Sequence, residues 1–302
     1  MSDTLIHILL LLTMPPLLLG VINRVKALFA GRYGPPLLQL YYDLWRLLRK
    51  GSVFSTTTSW VFLAGPLVTL SATVTAAMMI PFGGHGSPIS FTGDLVLFAY
   101  LFALARFFTT LAALDTGSGF EGMGAAREVT FGCLAEPVLF IVLVALARES
   151  GFLSLSGALT YASGGMWPSG AAPLMLMAVA LFILFLVENC RIPFDDPTTH
   201  LELTMIHEVM VLDHSGPAFG AILYAASLKL FVLGALFLHV ALPFGAVQGW
   251  LGWISFMASM VLLAILTGVV ESVMARLKLL KIPQVLLMSL SLAAFALLLT
   301  VR

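Results

Sequence analysis

Residues 171–187 read AAPLMLMAVALFILFLV, seventeen positions without one charged side chain. A helix needs about 20 such residues to cross the ~30 Å hydrocarbon layer of a bilayer. Residues 282–301, IPQVLLMSLSLAAFALLLTV, repeat the pattern. Working outward from these two, eight stretches qualify or nearly do: 4–22, 60–80, 95–114, 129–147, 171–187, 218–242, 250–270 and 282–301. Four of them, 60–80, 171–187, 250–270 and 282–301, carry no Asp, Glu, Lys, Arg or His. The apolar residues run continuously instead of alternating, which is the pattern of helices and not of barrel strands. The first stretch reads as a retained span: its leader Met-Ser-Asp-Thr is acidic and no small-x-small cleavage site follows. No internal repeat is visible. The expected fold is all-α, a polytopic membrane protein of about eight transmembrane helices in a single integral membrane domain, residues 1–302.

Composition agrees. Hydrophobic residues make up 60% of the chain and charged residues 10%, against about 25% charged in a soluble globular domain. Mean hydropathy is +1.04. Lys plus Arg and Asp plus Glu both number 15, so the net charge is zero. This balance excludes a disordered chain, a basic nucleic-acid binder and an ordinary soluble enzyme. The two cysteines, Cys133 and Cys190, are too few for a disulfide framework and form no CxxC pair.

The basic residues orient the spans. Six lie in 23–59 (Arg24, Lys26, Arg32, Arg46, Arg49, Lys50), one in 115–128 (Arg127), one in 188–217 (Arg191) and three in 271–281 (Arg276, Lys278, Lys281). These alternate loops hold eleven of the fifteen, while the opposite side holds only Arg148 and Arg302. The positive-inside rule then places the four polar loops in the cytoplasm of an inner (plasma) membrane and both termini outside. The outer connections 81–94 and 148–170 are Gly/Ser-rich and uninformative.

The inner loops carry charges of both signs, which suits a docking surface, an ion entry or a solvated rim. Segment 36–50, PLLQLYYDLWRLLRK, places Leu37, Leu40, Tyr41, Leu44, Leu47 and Leu48 at helical spacing, with Asp43, Arg46, Arg49 and Lys50 off that stripe. It predicts a helix lying in the interface, a surface anchor or a partner site. Segment 188–216 reads ENCRIPFDDPTTHLELTMIHEVMVLDHSG. Asp196-Pro197 predicts a helix start, and a helix over 197–212 would put Glu202 and Asp213 on one face. His200, His207 and His214 recur every seven residues. Seven residues of helix rise about 10.5 Å, too far for these rings to share one metal ion. What remains is a segment dense in titratable groups beside the membrane, suited to proton transfer or electrostatic docking.

Ionisable residues inside spans are expensive and mark function by default. Arg106, Glu136, Glu188 and Lys229 occur on four different spans. They predict either ion pairs, Glu136 with Lys229 and Glu188 with Arg191, or a polar path from the loop acids Glu202, Glu208 and Asp213 past Glu188 and Glu136 to Lys229. Glu and Lys both relay protons when burial brings them toward neutrality.

The 188–216 segment resembles the most characteristic loop of the respiratory complex I membrane subunit at the foot of the hydrophilic arm. The resemblance rests on Glu188, Arg191, Pro193, Phe194, Asp195, Glu202-Leu203 and Asp213-His214-Ser215-Gly216. It extends to Arg32, Gly34-Pro35, Gln39, Asp43 and Arg46 in the first inner loop, and to Gly124-Ala-Ala-Arg127 with Glu136 nine residues on. Thr198, Thr199 and His200 depart from that family's paired acids. The run Thr-His-Leu-Glu-Leu-Thr-Met-x-His-Glu is similar instead to the homologous subunit of formate hydrogenlyase and other membrane-bound [NiFe] hydrogenases. The resemblance implies a membrane-anchoring and proton- or ion-coupling subunit of an oxidoreductase complex, with no catalytic centre or metal of its own. Iron–sulfur clusters and a NiFe centre would sit in partner subunits. The implied partners are iron–sulfur and hydrogenase-like soluble subunits and antiporter-like membrane subunits, with Arg32, Gln39, Asp43, Arg46, Arg127, Arg191 and Asp195 facing the arm. A quinone-reducing complex I subunit is the first alternative. A free-standing secondary transporter is the second, although two matching halves with broken helices are not visible.

Overall fold

The computed structural model describes residues 2–164, 171–195, 206–244 and 249–300. Among the described residues ten α-helices run in the order α1 Ser2–Phe29, α2 Gln39–Leu48, α3 Trp60–Met79, α4 Asp94–Asp115, α5 Gly119–Ser150, α6 Leu155–Gly164, α7 Ala171–Glu188, α8 Gly216–Ala241, α9 Trp250–Val273 and α10 Ile282–Thr300. Among the described residues eight segments are long and apolar enough to cross a membrane: seven of these helices, α2 and α6 being too short, and Leu279–Thr300, which contains α10. Among the described residues no strand is present. The all-α architecture and the eight spans are as expected.

The spans pack as neighbours: α3 on α4 and α8, α10 on α5 and α7, and α1 on α9. In lipid, such packing rests on close van der Waals fit and on polar groups that bridge helices. One bridge follows directly from the sequence. Pro15 lies inside α1 and has no N–H for the carbonyl of Leu11 four residues back. The Tyr224 hydroxyl of α8 donates to that carbonyl at 3.0 Å. Gly20 gives α1 a second close contact, because a Cβ there would collide with the Leu37 carbonyl just before α2.

Cross-links show that the polar loops gather at one end, the basic end. Lys26 meets Glu271, Arg276 meets Asp195, Ser59 meets Asp115, and the Asp213 amide meets Glu121. At the opposite end the His7 ring contacts the Ala77 carbonyl, and the Gly93 amide donates to Leu153.

Three local expectations change. The helix that holds the fourth span begins before 129: α5 runs unbroken from Gly119 and extends about ten residues further toward the basic end. Segment 148–170 contains α6, which buries Leu155, Ala158, Leu159 and Ala162. Buried Asp94 anchors it, accepting the Leu155 amide at 2.5 Å. The helix expected over 197–212 falls partly on 196–205, outside the described residues. Of its described part, Glu208–Val211 forms a single 3-10 turn. Helix α2 lies where the interfacial helix was expected and buries none of its own side chains.

Candidate functional site: an arginine-centred ion-pair network

Arg106 of α4 is the hub. Its Nε donates to Glu128 Oε1 at 2.9 Å. Its two terminal nitrogens donate to Glu136 and to Glu188. The second oxygen of Glu188 lies 2.5 Å from Lys229 Nζ of α8. The second oxygen of Glu128 lies 3.2 Å from His207 Nδ1. The result is one line, His207–Glu128–Arg106–Glu188–Lys229, with Glu136 branching from Arg106.

Helix periodicity explains the carboxylate pair on α5. Glu128, Gly132 and Glu136 lie four residues apart and share a face. Gly132 makes room for this, because a Cβ there would stand 2.8 Å from Arg106 Cδ and Nη1 and the guanidinium would have to shift. The guanidinium therefore lies flat across the backbone of α5 and reaches the acid on either side. Arg suits this place, since its planar fork offers donors in several directions and stays charged.

Burial grades along the network. The side chains of Arg106, Glu128 and Glu188 are 9%, 10% and 9% exposed, whereas Glu136 is 46% exposed on the flank between α4 and α5. Buried charges are stable only when paired and hydrogen-bonded. With His207 protonated, three cations meet three carboxylates. Burial works against the charge on His207, but the neighbouring Cys190 and Glu128 outweigh it and hold the imidazole well above its ordinary value. Burial pushes the Cys190 thiol up. The network borders a cavity of about 610 Å³ at the basic end, with Phe219, Ile222 and Leu223 of α8 on its apolar side and Glu188, Arg191, His207 and Glu208 on its polar side.

A second cluster fastens the loop after α7. Glu271 of α9, fully buried, meets Lys26 at 2.9 Å and Arg191 at 3.3 Å. Asp195 accepts from Arg276 at 3.0 Å and from the Ile206 amide at 3.1 Å. The Leu277 amide donates to the Pro193 carbonyl at 2.8 Å.

The structure thus joins Arg106, Glu136, Glu188 and Lys229, but in other pairs than expected. Lys229 meets Glu188 instead of Glu136, and Arg191 meets Glu271 instead of Glu188. Arg106 is the bridge between Glu136 and Glu188. Glu208 lines the cavity. Asp213 is exposed beside it and gives its backbone amide to buried Glu121. Glu202 lies outside the described residues. Of the residues expected to face an arm, Arg32 is exposed. Asp43 of α2 accepts from Gln39 at 3.1 Å and from Arg46 at 3.3 Å, and the Arg46 side chain is 68% exposed. Arg127 is half-buried on α5. Arg191 and Asp195 are buried in the loop-fastening cluster, so their charges serve this chain internally. Sequence reading passed over Glu128 and His207 as network members. Extending α5 back past Glu128 would have set Glu128 on the same face as Glu136.

The NADH dehydrogenase family model matches residues 3–302. The chain is 35% identical to formate hydrogenlyase subunit 4 of Escherichia coli (strain K12) over 89% of its length and 84% of the relative's. It is 33% identical to hydrogenase-4 component C of the same strain over 95% and 91%. An NADH-quinone oxidoreductase subunit of Rubrobacter xylanophilus is 30% identical over 60% of this chain and 57% of that one. A chain of the membrane-bound sulfane sulfur reductase, an archaeal respiratory membrane complex, has the same fold: the TM-score is 0.83 at 20% identity, covering 99% of this chain and 100% of the other. With eight spans and a family match along nearly its whole length, this chain is a multi-pass membrane protein of the NADH dehydrogenase family, related to membrane subunits of formate hydrogenlyase and hydrogenase-4.

Proposed function

We propose that this chain anchors an electron-transferring soluble arm on the membrane and couples its chemistry to proton or sodium movement. The observation that carries the reading is the unbroken line of five ionisable groups from His207 to Lys229, which opens at the basic end onto the 610 Å³ cavity. Each carboxylate in the line is shared by two cations. A charge change near the cavity therefore alters the field on His207 first and on the others in turn, at separations where unit charges interact by several kcal/mol. His207 carries the labile proton, and Glu136 is the member open to the flank of the bundle.

In this reading the basic loops face the cytoplasm of a bacterial-type inner membrane, and both termini lie outside. The arm consists of iron–sulfur and hydrogenase-like subunits that hold the clusters and the NiFe centre, and antiporter-like subunits flank the bundle. The names of the two Escherichia coli relatives support the hydrogenase assignment. A quinone-reducing role is the second reading, favoured by the apolar side of the cavity and by the similarity to NADH-quinone oxidoreductase. Purification of the complex through a tag on this chain tests both. Co-purifying hydrogenase-like and iron–sulfur subunits, with a reporter after Arg302 reading extracytoplasmic, are the expected result. Bound quinone with quinone-reductase activity would shift the assignment to the second reading, and a chain that purifies alone would refute the anchoring role.

A further inference from the structure

Glu136 is the outward-facing member of the arginine network, and lipid cannot satisfy it. Arg106 donates to one of its oxygens. Among the described residues no donor reaches the other. Glu136 stands about 25 Å from the inner end of α5 and about 21 Å from the outer end. A hydrocarbon layer of ~30 Å therefore includes it wherever that layer falls along the helix. A half-exposed carboxylate at that depth meets no hydrogen-bond donor in acyl chains.

A second acceptor lies beside it. Pro137 is inside α5 and has no N–H for the carbonyl of Cys133 four residues back. Cys133 and Pro137 are both exposed on the flank of the bundle. In α1 the same defect at Leu11 is met by a hydroxyl from another helix, that of Tyr224. Among the described residues no side chain does this for Cys133.

The surface around these two acceptors has the form of a helix seat. Two cavities of about 560 and 510 Å³ run along the flank between α4 and α5, and both reach Arg106, Cys133 and Glu136. Ala99, Ala103 and Cys133 give the groove a floor of small side chains, and Phe107 and Phe140 stand on its rims. In lipid, helices associate where small residues let backbones approach and where a polar group bridges the interface.

We propose that this groove seats a transmembrane helix of a second membrane subunit, and that the helix presents a neutral hydrogen-bond donor, a carboxamide or a hydroxyl, to Glu136 and the Cys133 carbonyl. The charge of the network selects the donor. With His207 protonated, three cations already meet three carboxylates, so a lysine or arginine on the incoming helix would add an uncompensated charge, and an ionised acid would face Glu136 with like charge. Both open groups are acceptors, so the incoming group donates. An acyl chain would fill the space and leave both acceptors unmet. That a second membrane subunit is present rests on the complex proposed above; where it sits and what it offers rest on the groove.

Two measurements on the purified complex test it. Electron cryo-microscopy should show a helix of another chain between α4 and α5, with a side-chain nitrogen or oxygen about 3 Å from the free Glu136 oxygen. Lipid or water in the groove, or a charged side chain opposite Glu136, overturns the proposal. Cys133→Trp fills the groove from an exposed position. It should lower the second membrane subunit about tenfold relative to this chain, with the soluble subunits retained. Val144→Trp, exposed on α5 beyond the groove, should leave the subunit content unchanged. A full content in Cys133→Trp overturns the seat, and where that variant fails to fold the map decides. A wild-type chain that brings down the soluble arm with no second membrane chain overturns this proposal and leaves the anchoring role standing. A helix in the groove without any soluble arm does the reverse.

Discussion

Removing Lys229 should damage the protein more than removing Lys229 and Glu188 together. Lys229 Nζ lies 2.5 Å from Glu188, and their side chains are 18% and 9% exposed. Lys229→Met leaves Glu188 with Arg106 alone, and Arg106 already serves Glu128 and Glu136. Stranding one member of a buried pair costs about 3–5 kcal/mol. For a domain of this size that corresponds to a loss of roughly 6–20 °C in thermal midpoint, at about 2–4 °C per kcal/mol. Adding Glu188→Gln removes the stranded charge and leaves Arg106 balanced by its remaining acids. The double variant should recover about half of the loss, on the order of 2 kcal/mol, and the coupling between the two sites is that recovery plus the loss in Glu188→Gln alone. The assay is thermal unfolding of the purified complex in lipid nanodiscs for the wild type, both single variants and the double. Additive losses would refute the idea that this pair is energetically one unit.

Three further outcomes follow from the same geometry. Gly132→Val should displace the Arg106 guanidinium and lower the thermal midpoint by the equivalent of about 1–3 kcal/mol, whereas Gly122→Val on the same helix, where a Cβ meets nothing within 4 Å, should leave it near wild type. His207 is held above its ordinary value of 6.5; its contribution to stability is full below about pH 6.5 and is lost as pH rises through the raised folded value. His207→Gln should therefore flatten the alkaline arm of the stability profile, and an unchanged profile would remove His207 from the network. Reversing Arg46 and Arg49 on exposed α2 should release soluble subunits and leave this chain inserted, while Arg191→Glu should destabilise the chain itself by setting a second carboxylate against buried Glu271, which keeps only Lys26; equal behaviour of the two, read from subunit content and thermal midpoint, would contradict the placement of Arg191.

The eight spans were legible because lipid demands long uninterrupted apolar runs, and such runs leave little ambiguity of type. The start of α5 was not, because Glu121, Arg127 and Glu128 break the apolar run although the helix continues through them. Helix α6 was hidden for a related reason: it is short, rich in Ser and Ala, and held by Asp94 from another segment. Four of the charged members of the site could be named from cost alone, since a charge in a span requires a partner. Which partner it finds depends on helix rotation, and rotation is set by contacts such as Gly132 against Arg106. Sequence spacing does not encode that. The internal partners of Arg191 and Asp195 were not legible, because neither the loop's own residues nor their spacing reveals Glu271 and Arg276, some eighty residues on.

The central claim, that the Arg106 network moves ions and is more than internal reinforcement, is tested most directly at Glu136. It is the network's most exposed carboxylate, so Glu136→Gln removes a titrating group with the least structural penalty while keeping a hydrogen-bond acceptor for Arg106. The measurement is gradient formation by the complex in sealed vesicles, alongside electron transfer to an artificial acceptor and subunit content. The account predicts a fully assembled complex with normal electron transfer and a gradient reduced by about tenfold or more, at the scale of losing one positioned proton carrier. A wild-type gradient in Glu136→Gln would contradict it and leave the network a purely structural one.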